Sequence, residues 1–205
     1  VKLGIFGGSF DPIHDAHLFV AEVAREECAL DRVLFVPTLR GRHRDPPQAS
    51  PQDRAEMIRL AIASNPYFGL DLSDLDPAAS GYTVDLLPRL QEKYPDDDLS
   101  FIAGGDSLVR SPWFRLAEVL TMLDRFIVAP RGTVSQAELD EALGEVPYEL
   151  RKKVVVIDLP RVTESATLVR ARLGEGKSPR YLIPEPVFRY IERHRLYRHS
   201  IVARP

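Results

Sequence analysis

Short apolar runs alternate with longer stretches of helical periodicity along most of the 205-residue chain. The runs at 3–6, 33–36, 69–72, 99–103, 125–129 and 154–157 are short and apolar, as buried parallel strands are. The stretches at 16–28, 51–64, 83–94, 116–123, 136–143, 166–174 and 186–194 read as helices. This alternation predicts an α/β fold: a Rossmann-like, doubly wound parallel sheet with a small C-terminal helical extension. The length fits one domain over residues 1–205, its C-terminal helical part covering about 160–205. In a sheet of this kind the first and fourth strands are neighbours, and the crevice between them is the topological switch point. No internal repeat or low-complexity segment interrupts the pattern, and Asp96-Asp97-Asp98 reads as a solvated turn before a strand.

The first strand runs into Gly7-Gly8-Ser9-Phe10-Asp11-Pro12-Ile13-His14-Asp15-Ala16-His17. A glycine pair lets the chain turn sharply and lets a ligand come close to the backbone. Pro12 keeps the loop extended before a helix that is expected to start near Asp15. Two histidines three residues apart then share one face of its first turn. Exposed N–H groups, a hydroxyl and two imidazoles at a helix N-terminus form an anion site, to which the helix dipole adds positive charge. A zinc site would need a third ligand or a glutamate base at the right spacing, and none is present. The glycines fit neither the Gly-x-Gly-x-x-Gly nor the Gly-Lys-Ser/Thr phosphate loop.

Composition narrows the class further. With 28% charged and 44% hydrophobic residues, the chain is that of a water-soluble protein with a sizeable core. It holds no apolar run long enough to span a bilayer, and its N-terminus reads as a strand rather than a signal peptide. Cys28 is the only cysteine, which rules out a disulfide framework and points to a reducing, cytoplasmic setting. A net charge of −3 argues against bulk nucleic-acid binding. An anionic ligand must then be held by a local cluster.

Three later segments offer such clusters. Residues 40–50 are rich in arginine and proline and include His43 and Arg44; they read as a loop at a strand C-terminus, either solvated or ligand-binding. Gly104-Gly105-Asp106-Ser107 follows the fourth strand, so it would face Gly7 and Gly8 across one ligand. Asp106 suits a ribose diol there, unless the turn merely caps a helix. Ser165 opens a further helix with Thr167 and Arg170 on its first turn, which is either an anion site or an ordinary cap.

Taken together, these segments resemble the nucleotidyltransferase superfamily of His-x-Gly-His type, and within it the bacterial nicotinate-mononucleotide adenylyltransferases. The first loop resembles that family's Gly-Gly-x-Phe-Asp-Pro-x-His-x-Gly-His, and Ser165 to Arg170 resembles its Ser-x-Thr-x-Ile-Arg. Val36-Pro37, His43-Arg44, Tyr82-Thr83-Val84, Gly104, Asp106-Ser107, Trp113, the stretch from Arg180 to Pro186 and His194-Arg195-Leu196-Tyr197 follow in the family's order. The match runs from residue 4 to about 197. Ala16 stands where the family has glycine, and Pro46-Pro47 follow the basic pair rather than precede it.

The resemblance implies adenylyl transfer from ATP to nicotinate mononucleotide, giving deamido-NAD and pyrophosphate in NAD biosynthesis, with Mg²⁺ carried by the ATP phosphates. It implies that His14, His17 and Arg170 are catalytic. Gly7, Gly8, Ser9, Phe10, Gly104, Asp106, Ser165 and Thr167 would bind ATP. His43, Arg44, Thr83, Trp113, Phe114 and Arg131 would bind the mononucleotide, Trp113 by stacking on the ring unless it is a core aromatic. The rival readings are a phosphopantetheine adenylyltransferase, whose family carries threonine where His14 stands, and a nucleotide sensor without turnover.

Overall fold

The six apolar runs form one six-stranded parallel sheet in the computed structural model, which describes residues 1–39, 46–104, 108, 113–130, 135–160 and 162–198. The strands are β1 (Lys2–Gly8), β2 (Arg32–Pro37), β3 (Phe68–Leu70), β4 (Asp98–Gly104), β5 (Arg125–Ala129) and β6 (Val154–Val156). Their order is β3-β2-β1-β4-β5-β6, so β1 and β4 are neighbours as the alternation predicts. The helices are α1 (Asp15–Glu27), α2 (Pro51–Ile62), α3 (Thr83–Lys93), α4 (Leu116–Met122), α5 (Gln136–Ala142), α6 (Tyr148–Arg151), α7 (Ala166–Gly174) and α8 (Glu185–His194). The four-residue α6 and a 3₁₀ turn at Ser73–Leu75 have no counterpart in the sequence pattern, because neither is long enough to show a period. None of the described helices is long and apolar enough to cross a membrane.

Side chains alternate across β1 and feed two cores. Leu3 and Ile5 face a layer built with Val84, Leu87 and Leu90 of α3 and Val119 and Leu120 of α4. Phe6 faces the other layer, with Ala21 and Ala24 of α1, Met57 and Ile58 of α2, Val169 of α7, and Val187 and Ile191 of α8. Each valine, leucine, isoleucine, methionine or phenylalanine among them, fully withdrawn from water, stabilises the fold by about 1.5–3 kcal/mol. The C-terminal helices thus share a core with the first strand. Polar contacts secure α8 to α2: Tyr190 donates its hydroxyl to Asp53 Oδ1 at 2.8 Å. Burial and that carboxylate push the Tyr190 pKa up to about 12.

Asp71, just past β3, is a buried carboxylate with three donors. It accepts from Lys93 Nζ at 2.6 Å, Tyr94 Oη at 3.0 Å and the Ser73 N–H at 2.8 Å. Burial alone would raise its pKa, but the bonds from Lys93, Ser73 and Tyr94 outweigh it and hold the carboxyl below the ordinary 3.8. A carboxyl lowered by folding contributes stability that is fully present above its unfolded value and is lost as pH falls through the folded value. Asp71→Asn should therefore lower stability at pH 7 by about 1–3 kcal/mol. Urea unfolding between pH 7 and 3 should show a shallower acid decline in the variant than in the wild type; parallel curves would show that Asp71 carries none of the acid sensitivity.

Candidate active site

All strands run the same way, so the loops that follow them gather along one edge of the sheet. Phe6 pairs with Ile102, and two residues further on Gly8 ends β1 while Gly104 ends β4. The strand ends Gly8 and Gly104 are therefore neighbours at the switch point, while residues 105–107 of the second predicted glycine turn lie outside the described residues. Among the described residues, a Cβ on Gly104 would meet nothing within 4 Å.

The expectation that Gly7 and Gly8 turn the chain sharply needs correction. Both lie inside β1, and neither has a left-handed backbone. A Cβ at Gly7 would sit 3.0 Å from the Phe101 ring, and one at Gly8 would sit 3.1 Å from the Phe10 ring. These glycines serve close packing on the two sides of the strand. Phe10 makes the turn, with φ 48°, and its ring folds back into the core against Phe6 and Phe35. Only the backbone of Phe10 is left to offer a ligand.

His14 caps α1 in an extended conformation and is buried, while His17 is the third residue of the helix. Their rings stack, with centroids 3.6 Å apart and planes inclined by 28°. The one-face placement expected from the spacing is met. His17 Nδ1 accepts the backbone N–H of His14 at 3.2 Å. A nitrogen that accepts cannot carry the proton, so neutral His17 is the Nε2–H tautomer and offers a donor at that atom. Phe10 and Phe6 present ring edges to the same imidazole at 5.0 and 6.0 Å. Ala16, where the resembling family has glycine, tucks its methyl into the protein at 8% exposure.

Beneath the loop lies a polar floor centred on Asp11. Its carboxylate accepts the N–H groups of Gln48 and Ala49 at 2.7 and 3.0 Å and the hydroxyl of Tyr197 at 2.7 Å. Its carbonyl accepts from Arg170 Nη1 at 2.6 Å, and that guanidinium lies 3.9 Å from Asp11 Oδ2. Arg54, wholly buried on α2, donates to the Ser9 carbonyl at 2.6 Å. Burial pulls the Arg54 pKa down, opposed by Asp11 and Tyr197, yet an arginine stays charged near neutrality. Two guanidiniums against one carboxylate leave the floor with an excess of positive charge.

Ser165 caps α7, its Oγ accepting the Leu168 N–H at 3.2 Å. Thr167 is exposed on the first turn and Arg170 follows one turn on. Asp15 lies near Glu164, and burial first, then repulsion by Glu164, raises its pKa. On the other side of the edge Thr83 opens α3, and the Tyr82 ring tilts over exposed Phe114 at 4.5 Å. Trp113 is half-buried and packs edge-on against Phe126 and Phe101 at 4.9 and 5.5 Å, on the rim of the core. His43, Arg44, Asp106 and Arg131 lie outside the described residues.

The sequence pattern alone does not assign roles to Asp11, Arg54, Tyr197 and Tyr82. A signal for Arg54 exists: it precedes Met57, Ile58 and Ile62 at helical spacing, on the face of α2 that is otherwise apolar and buried.

Known proteins share this chain's sequence and fold. The model of the cytidylyltransferase-like family matches residues 5–172. A probable nicotinate-nucleotide adenylyltransferase of Desulfitobacterium hafniense (strain Y51) is 40% identical over 200 residues, covering 96% of either chain. One from Thermus thermophilus is 40% identical over 202 residues, covering 97% of this chain and all of its own. Among solved structures, the Plasmodium falciparum nicotinic acid mononucleotide adenylyltransferase complexed with NaAD shares the fold. It superposes with a TM-score of 0.74 at 21% identity, over 96% of this chain and 97% of that one. Matched along nearly its whole length by these relatives, the chain belongs to the cytidylyltransferase-like family, among the nicotinate-nucleotide adenylyltransferases.

Proposed function

We propose that the protein transfers the adenylyl group of ATP to nicotinate mononucleotide, forming deamido-NAD and releasing pyrophosphate. The observation that carries this reading is the stacked His14–His17 pair at the start of α1, beside the β1 strand end and above a floor with excess positive charge. The curated relatives are named for this activity, and the Plasmodium enzyme of like fold holds NaAD.

The nucleophile is the mononucleotide's own phosphate. A phosphate monoester loses its second proton near a pKa of about 6, so it arrives as a dianion at neutral pH. One of its oxygens bonds to the α-phosphorus as the bond from that phosphorus to the β-phosphate bridging oxygen breaks, and pyrophosphate leaves. No proton has to be removed, so the site works by alignment and charge stabilisation. His17, held by its Nδ1 bond as an Nε2–H donor, is suited to stabilising charge on the transferring group rather than to acting as a base. His14 shares that task.

Gly7, Gly8, Ser9 and the Phe10 backbone bind the ATP phosphates, and Gly104 and Asp106 the adenosine ribose. Ser165, Thr167 and Arg170 hold the departing pyrophosphate at the start of α7. Thr83, Trp113 and Phe114 frame the pyridine ring, while His43, Arg44 and Arg131 neutralise phosphate. The substrate is MgATP, whose metal offsets charge on the triphosphate when bound. The Asp11 carboxylate already takes three hydrogen bonds, so the ion would be held by phosphate oxygens and water. Residues 160–205 work as part of one nucleotidyltransferase domain, in the cytoplasm where ATP is available.

Mg²⁺-dependent pyrophosphate release should be seen with nicotinate mononucleotide and be much weaker with phosphopantetheine. Release with phosphopantetheine alone, or with no acceptor, would assign the protein elsewhere. His17→Ala should lower kcat by about 100- to 1000-fold, as loss of a transition-state donor does, while the circular dichroism spectrum is kept. Near-normal turnover in that variant would remove His17 from the chemistry. Arg170→Ala should raise the KM for ATP by about tenfold or more; unchanged ATP kinetics would leave α7 with an ordinary cap.

A further inference from the structure

Tyr197, beyond the end of α8, reaches back across the molecule to the loop that follows β1. Its hydroxyl donates to Asp11 Oδ1 at 2.7 Å, and both residues are buried, at 9% and 5% exposure. The chain adopts uncommon backbone conformations to make this contact. Tyr197 has a left-handed φ of 62°, and so does Phe10 at 48°, next to Asp11, whereas the left-handed Arg195 is the ordinary cap that ends α8. Non-glycine residues held this way persist where the surroundings fix them, and they concentrate at functional sites. Docking α8 alone would not require this hydroxyl, because α8 is already seated by buried Val187 and Ile191 and by the Tyr190–Asp53 bond.

We propose that Tyr197 is a positioning residue that, through Asp11, holds the backbone of residues 8–12 in the geometry that receives the ATP phosphates. Asp11 is well placed to pass on this constraint. Its carboxylate is pinned from one side by the Gln48 and Ala49 N–H groups and from the other by the Tyr197 hydroxyl, while Arg170 and Arg54 hold the carbonyls of Asp11 and Ser9. With the carbonyls fixed, the N–H groups of the loop have fixed directions too. Pre-ordered donors stabilise an incoming anion without an ordering cost at the moment of binding. Burial and the adjacent Asp11 charge raise the phenol pKa well beyond its ordinary range, so Tyr197 stays a protonated donor throughout the working pH range.

The proposal rests on the adenylyl-transfer reading, and its test has one readout that does not need turnover. Tyr197→Phe keeps the buried ring and removes only the donor. Amide hydrogen exchange should speed up within residues 8–13 of this variant, while α3 and α4, on the opposite face of the sheet, stay as in the wild type. In kinetics normalised to active sites, kcat/KM for ATP should fall about tenfold, with the mononucleotide KM changing by less than about twofold. A purely structural role would lower the melting temperature and the active fraction and leave both the loop exchange and the ATP constant unchanged; that result would overturn the proposal. Asp11→Asn combined with Tyr197→Phe should cost less than the sum of the single changes, whereas additive losses would show that the two side chains act apart.

Discussion

The Asp11 carboxylate joins segments that the sequence holds up to 186 residues apart. It fixes the end of the loop after β1 to the entrance of α2 through Gln48 and Ala49, and to the C-terminal segment through Tyr197. The same residue's carbonyl takes the Arg170 guanidinium from α7. Hydrogen bonds to a charged, buried acceptor contribute about 1.5–3 kcal/mol each, and removing one partner leaves the rest uncompensated. The helices on one face of the sheet are thereby tied to the loop that follows β1.

What the site lacks in lysines it obtains from geometry. The α1 N-terminus brings its dipole and two stacked imidazoles to the β1/β4 crevice, and Arg54 and Arg170 supply charge from below. The His14 N–H to His17 Nδ1 bond decides the tautomer of the second imidazole. The chain's overall charge is −3, so this positive charge is local.

The fold was largely legible in the chain, because long-period helices and short apolar strands alternate and each has enough residues to show its pattern. All six strands stand within two residues of their expected bounds. The short turns at Ser73–Leu75 and Tyr148–Arg151 were not legible, being no longer than a single turn of helix. In the site, local patterns were readable: the His14–His17 spacing, the Ser165 cap and the opposition of Gly8 and Gly104. Contacts between distant positions were not. Nothing near Tyr197 in sequence says that it donates to residue 11, and the spacing that puts Arg54 on the buried face of α2 does not say that it reaches the Ser9 carbonyl. The Gly7-Gly8 pair was legible as important but not as packing against Phe101 and Phe10, since that depends on which rings lie above and below β1.

In the reaction proposed for this site, the mononucleotide phosphate attacks the α-phosphorus directly, with the two histidines stabilising charge and never bonding to phosphorus. Stereochemistry at that atom reads this out. With ATP made chiral at the α-phosphorus by one sulfur substitution, a single in-line displacement predicts inversion in the dinucleotide product. Retention would mean two displacements through an adenylylated side chain, with a histidine as the nucleophile, and would contradict direct transfer.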